Sequence, residues 1–449
     1  PVEGQGYRAN ATGINLNRDF LRLASPEARA MAALVNSWDP DLHVDNHVTN
    51  GSDHAWVLTW LVAEAPQLDP ALDGWVREHL REVLARTGEA GHPNGPYVSL
   101  VSGSDPTKGM IWDVAQPRYS SGYFPLRNRV SILIEMHAHK PFRDRVMANR
   151  AFMEELILEI DRAGEDLMKA ISTAEARTVE MGGAEADPSE IVLRWGVADK
   201  GESIRWPAYA WTTEDSVVTG GSRIVYQPGE VREIQLDWRH TPQPELSLPR
   251  PRGYLVTAGW PQIEEVVRGH GLRAYRVTTA TSLEVETIRL SKPEFAASSY
   301  QGVVMVEDFD VSRRSERRDI PANSLWIPAD QPAFEIAVQL FEPEAPDSLI
   351  RWGALSSVFE RKIYVGLDVL EGLAREMLEN PEVRDAWQAA IADEEFARSW
   401  RARYLWWYQR TPYWDESVGL MPVYRILASV PAEHGTHELA SAGGVRVAP

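Results

Sequence analysis

A chain of 449 residues is longer than one ordinary hydrophobic core organises, so two or three domains are expected. Hydrophobic and charged shares of 44% and 25% are those of a soluble globular protein, and a formal net charge of −19 argues against nucleic acid, whose phosphates ask for a basic face. No stretch approaches the roughly 18 uninterrupted apolar residues of a membrane-spanning helix, and the absence of cysteine removes disulfides, thiol nucleophiles and thiolate metal sites.

The chain opens on Pro1-Val2-Glu3-Gly4, with neither an initiator methionine nor a basic-then-apolar leader, and reads as a cut end. Ser25-Pro26-Glu27 then predicts a helix start, since Ser accepts from the first free N–H groups and Pro suits the first helical position. Ala28, Met31, Ala32 and Val35 follow with helical spacing. Leu42 to His47 suits a strand, and Asp69-Pro70 opens a second helix with Leu72, Val76, Leu80 and Val83 on one face. Val130 to Ile134 is a compact apolar run of the kind found in a buried strand of a mostly parallel sheet. A long amphipathic helix is expected from about Pro141 to Ala170. Residues 1–175 therefore read as an α/β unit, a mixed sheet with flanking helices.

Residues 176–344 change character. Ile191, Leu193, Trp195 and Val197 alternate with other residues, as do Ile234, Leu236 and Trp238, and Leu283, Val285 and Thr287, which predicts an antiparallel β-rich region. Residues 345–449 read as helical, with Leu370, Leu373 and Met377 on one face and a further helix from Asn380-Pro381-Glu382. The aromatic cluster from Tyr404 to Trp414 is expected to pack rather than bind, and the segment from Ser441 to Pro449 reads as a loose tail.

Four features of the first region carry chemistry. Asn17-Arg18 joins an amide donor to a guanidinium fork, a pairing suited to capturing a carboxylate. His47 ends a strand two residues after Asp45, a frequent position for a metal ligand. Glu135 closes the apolar run, where partial desolvation pushes a carboxylate toward general-base strength. Arg8 adds a second cation near Arg18. Each has a plainer reading: a structural His, a surface Asn-Arg pair, a solvated Glu.

In order and spacing these residues resemble a family. Tyr7-Arg8-Ala9-Asn10 and Gly13-Ile14-Asn15-Leu16-Asn17-Arg18-Asp19-Phe20 are similar to the Arg-x-Asn…Gly-x-x-Leu-Asn-Arg signature of the carboxypeptidase A-like zinc metallopeptidases. The helix leading to Asp45-x-His47 and the strand Ile132-Leu133-Ile134-Glu135-Met136-His137 resemble that family's later segments. The likeness covers about residues 1–175 and implies that they form the C-terminal part of a catalytic domain of this kind. It further implies hydrolysis of the C-terminal peptide bond of a peptide, or of a small amide with a free carboxylate. Glu135 would be the general base activating zinc-bound water, Arg8 would polarise the scissile carbonyl, Asn17 and Arg18 would hold the carboxylate, and His47 would bind zinc. Tyr119 or Tyr123 would close over the substrate, and the residues lining the specificity pocket would come from about 105–125, with Trp112, Asp113 and Arg118 as candidates. A periplasmic or secreted location is the family's lean.

The family's other two zinc ligands form a His-x-x-Glu before the Asn-Arg motif, yet the sixteen residues preceding Asn17 include no histidine. That pair is therefore expected upstream of Pro1, and this chain is expected to bind zinc weakly or not at all. His79 and Glu82 show the right spacing in the wrong order and read as a helix-surface pair. His137 and His139 are alternative ligands, whereas His434 and His437 carry no signal. Two other functions stay open: a deacylase of N-acyl amino acids at the same site, and a non-catalytic relative that keeps the clamp without the metal. Exposed Trp206, Trp211 and Trp260 would make the β-rich region a binding module; packing within sheets is the alternative.

Overall fold

The computed structural model describes residues 7–49, 55–97, 99–103, 105–112, 114–428 and 436–438. Asp113 and His434 lie outside the described residues, and His437 is described only as backbone.

Two parallel strands position the site. Leu42–Val48 pairs with Val130–Met136 in a four-stranded sheet continued by Leu58–Val62 and Asn94–Pro96. The Val130–Met136 strand is buried along its whole length, which is why it is mostly apolar on both faces, with only Ser131 and Glu135 polar. Helix Pro26–Trp38 leads into the first strand, with Ser25 accepting from the Ala28 N–H as its cap. The second helical stretch, Pro70 to Glu89, is interrupted by a π-turn at Val76–Leu80.

Behind this sheet runs a helix of 41 residues, Phe142–Gly182, twelve residues beyond the expected end. Ile171, Ala174, Thr178 and Gly182 continue its buried stripe at three- and four-residue steps. A kink falls at Ala163, whose carbonyl accepts from the Trp75 indole at 3.3 Å and so has a lateral partner competing with the helical ladder.

Next comes the β-rich part. Long hairpins form from Glu202–Asp215 with Ser222–Arg239 and from Thr281–Phe295 with Val306–Ile320. The second hairpin belongs to a seven-stranded sheet. Two helices interrupt the β pattern, Pro261–Gly269 and Phe334–Phe341, and every residue of the latter that could form an apolar face is buried. Four helices between Leu367 and Tyr408 follow. The last part is not wholly helical, however: Val423–Ile426 enters the seven-stranded sheet between Gly253–Val256 and Thr281–Phe295. The molecule is thus mixed α/β with several sheets. Among the described residues, no helix is long and apolar enough to cross a membrane.

The largest core cluster joins Leu21, Tyr123 and Phe124 of the first part to Tyr254, Ile288, Phe334 and Val423 of the later ones. A second core fills the space between the four-stranded sheet and the long helix.

Candidate functional site

Local chemistry shapes the segment that begins the site. The Asn10 side-chain oxygen accepts from the N–H groups of Thr12 and Ile14, at 3.1 and 2.9 Å, and Gly13 supplies the positive φ of +81° that this turn requires. Asn15 caps the single turn Leu16–Arg18 by accepting from the Asn17 N–H. Asp19, fully buried, then accepts from Arg22 and from the backbone of Ala24 and Ser25, fastening the turn to the first helix. The polar residues of this motif are spent largely on building the turn that presents Asn17 and Arg18.

His47 and Glu135 are direct register partners on the two parallel strands. Both are next to last in their strands, so they emerge at the same carboxyl edge, where open α/β sheets place their ligands. His47 Nδ1 lies 4.0 Å from Glu135 Oε1, while His47 Nε2 lies 2.8 Å from Asp45 Oδ1. The Asn17 amide nitrogen is also 3.2 Å from Nε2, but it can only donate, and the shorter contact to a charged acceptor decides the tautomer. Nε2 therefore carries the proton for Asp45, and Nδ1 is turned toward Glu135. A carboxylate that fixes one imidazole nitrogen leaves the other as a well-aimed donor for a cation.

Ser120 completes the support. Its hydroxyl donates to Asp45 Oδ2 at 2.5 Å, and its backbone N–H donates to Asn17 Oδ1 at 3.0 Å. Burial alone would raise the Asp45 pKa, but the hydrogen bonds from His47 and Ser120 outweigh it and hold the carboxylate below its usual range. The Asp45 hydrogen bond in turn raises His47. Glu135 has no such donors. Its Oε2 is buried without a hydrogen-bond partner, and desolvation pushes its pKa up to about 7 against the lowering influence of His47 and Arg8.

A cavity of about 400 Å³ collects these groups: Arg8, Asn17, Arg18, His47, Tyr119 and Glu135 all line it. The Arg18 guanidinium is oriented from three sides. It donates to the Asn17 carbonyl at 2.6 Å and to the Tyr300 hydroxyl at 3.2 Å, and it lies 4.4 Å from the Tyr119 ring centre. Tyr300 and Gln301 come from the loop between the two strands of the later hairpin. Gln301 accepts from the Asn15 N–H at 2.7 Å through its side chain and from Arg22 at 3.1 Å through its carbonyl, and Arg22 stacks on Trp352 at 4.4 Å.

Other candidates fall elsewhere. Tyr123 is 1% exposed, and its hydroxyl bonds His270 at 2.9 Å, so it is a core residue with no access to the cavity. Trp112 is buried beside Trp60 and Trp238, and Arg118 is committed to Asp347 at 2.7 Å; neither lines the cavity. His79 bonds Glu159 at 3.0 Å, in an ion network with Arg86, rather than pairing with Glu82. His137 is fully buried beside His139. Trp206 is 1% exposed against Trp56 and Trp211 is half-buried in the same sheet, so packing accounts for both, whereas Trp260 is half-buried against the main core just before helix Pro261–Gly269. Sequence reasoning missed Ser120 and Tyr300. Ser120 adjoins the tyrosine that was singled out, whereas nothing in the local pattern around Tyr300 signals its place.

Against known proteins, the chain shows distant similarity to fungal carboxypeptidases. Carboxypeptidase 2 of Trichophyton rubrum is 24% identical over 364 residues, 77% of this chain and 63% of that protein. Carboxypeptidase 2 of Trichophyton tonsurans is 29% identical over 115 residues, a quarter of this chain and 21% of its own length. The chain thus spans less than two thirds of the curated relatives it matches. No family model matches it, and no solved structure matches it significantly.

Proposed function

We propose that this chain carries the substrate-gripping and proton-transferring part of a zinc-dependent metallocarboxypeptidase, acting on the amide bond next to a free carboxylate. The observation that carries the reading is Glu135, a buried carboxylate with an unpartnered oxygen facing a cavity that also holds Arg8, Asn17 and Arg18. The distant carboxypeptidase similarity supports the same class. Asn17 and the oriented Arg18 would take the terminal carboxylate, and Tyr119 would flank it. Arg8 would steady charge developing on the scissile carbonyl oxygen. Glu135 would remove a proton from the attacking water and return it to the leaving amine.

Zinc is part of this proposal, with His47 as one ligand. The described residues do not fit the ion by themselves, because no group of three metal-binding side chains occurs among them. The remaining donors would have to come from outside the described residues, and no step above is routed through the metal. A second reading is a binding protein that keeps the carboxylate clamp without hydrolysis. N-acyl amino acids satisfy the same clamp and are the alternative substrate.

The test compares a peptide with a free C-terminus, the same peptide amidated, and an N-acyl amino acid, using the full-length protein. Cleavage of the free peptide but not the amide is expected. Equal cleavage of the two peptides would remove the roles given to Asn17 and Arg18, and binding without cleavage would favour the second reading.

A further inference from the structure

A second cavity, of about 560 Å³, borders the segment Val114–Gln116, which also lines the Glu135 cavity. Its other walls come from the end of the long helix, the strand Glu190–Val197 and the helix Phe334–Phe341. One side chain in it is out of balance. The Arg250 side chain is only 4% exposed and donates to Glu335 Oε1 at 3.0 Å through Nη2, yet its Nε and Nη1 are buried with no partner. Gln339 lies one helical turn beyond Glu335. Its amide nitrogen donates to the Leu193 carbonyl at 3.1 Å, while its Oε1 is buried without a donor. Unmatched buried groups of this kind are costly, and more so when charged. Their joint presence on one cavity calls for a ligand that accepts from a guanidinium and donates to an amide oxygen.

The remaining charges narrow its chemistry. Arg177 pairs with Asp69 at 2.5 Å and Arg194 with Glu245 at 3.0 Å, which leaves Glu190 as a carboxylate outside these pairs. A surplus carboxylate disfavours a multiply charged anion such as phosphate and suits a ligand that brings one negative and one positive group. The cavity lies in the size range of small-molecule sites.

We propose that this cavity is a second binding site, separate from the Glu135 cavity, for a small zwitterion of the free α-amino acid class. The ligand carboxylate accepts from Arg250 Nη1, and its ammonium group donates to Gln339 Oε1 with Glu190 in the same cavity. The site stands independently of the hydrolytic reading, since none of these residues belongs to the clamp.

Titration calorimetry tests it with L-leucine, L-leucinamide, which lacks the carboxylate, and 4-methylpentanoate, which lacks the ammonium group. The same titrations are run on the chain as described and on Arg250→Lys, Gln339→Met and Arg18→Ala. Saturable L-leucine binding is expected, weakened about tenfold or more by removing either ligand charge or by Arg250→Lys, which keeps a cation for Glu335 but loses the second guanidinium edge. Arg18→Ala, which removes the proposed carboxylate clamp of the Glu135 cavity, should leave the Arg250-dependent part of the binding in place. Should Arg250→Lys fold poorly by circular dichroism, Gln339→Met reads the same contact from the other side. Absence of saturable L-leucine binding, with water alone satisfying the polar atoms, would overturn the proposal. So would binding that survives both cavity variants and is lost in Arg18→Ala.

Discussion

Glu135 and Asp45 belong to neighbouring strands of the same sheet, yet their surroundings push them to opposite sides of the carboxylate range. Asp45 is held ionised by His47 and Ser120, whereas Glu135 is desolvated and raised to about 7. We therefore expect them to fail differently. In the full-length protein, Glu135→Gln should lower kcat by roughly 10²–10⁴-fold with little change in KM, the signature of a lost proton-transfer group. Asp45→Asn should act through the imidazole it orients, and removal of such an outer partner typically costs about 10–100-fold in metal affinity or activity. A Glu135→Gln variant with undiminished turnover would contradict the base assignment. Metal analysis of this chain should return well under one zinc per chain, because the described residues hold no group of three metal-binding side chains. One tightly held zinc would mean that the missing donors come from this chain's residues outside the described ones. Much of this site was legible in the sequence, since Asn17, Arg18, His47 and Glu135 stand in an ordered motif. Tyr300 was not, because its role is made by a tertiary contact 282 residues away from Arg18.

Elements were legible where periodicity and caps agreed. Ser25-Pro26 marked its helix start, and the apolar run at Val130 marked its strand. Misreadings followed from burial. Phe334–Phe341 is only eight residues long and nearly all buried apolar, so its short run is hard to separate from a buried strand. Val423–Ile426 is only four residues long and carries Arg425, which is 1% exposed and paired with Glu342 at 2.8 Å and with Glu286. A buried charge satisfied from two other elements hides a central strand. The long helix offers a direct test at its end. A Cβ on Gly182 would lie 2.1 Å from the Ala329 carbonyl oxygen, a backbone atom that cannot swing aside. Gly182→Ala should therefore destabilise the protein by about 1–3 kcal/mol despite alanine's better helix propensity, as read by urea denaturation. A neutral or stabilising result would mean that the helix end does not pack there.

On the scale of the whole molecule, His270 ties the parts together. It is fully buried: Nε2 donates to the Leu21 carbonyl at 2.8 Å, and Nδ1 accepts from the Tyr123 hydroxyl at 2.9 Å. Burial pushes its pKa down to about 4, with Arg127 adding to the effect. The unfolded chain takes up the proton near pH 6.5 and the folded one only near 4, so this contribution is complete above about pH 6.5 and is lost as pH falls toward 4. The loss should amount to roughly 3 kcal/mol. Denaturation at pH 7.5 and 4.5 should show a smaller acid loss in His270→Gln than in the wild type, which separates His270 from the chain's many carboxylates. Identical losses would assign the acid sensitivity elsewhere.

The contacts of Gln301, Tyr300 and Trp352 with the turn that presents Arg18 bear on the order of events during synthesis. The proposed grip on a carboxylate lies near the beginning of this sequence, but the residues that orient Arg18 are made almost 300 positions later. In a nascent chain the local turn therefore lacks its Gln301 and Tyr300 supports until the later hairpin folds back on it. A ribosome-bound chain arrested before Tyr300 should accordingly show no carboxylate-dependent binding, whereas one released after Ile426 should.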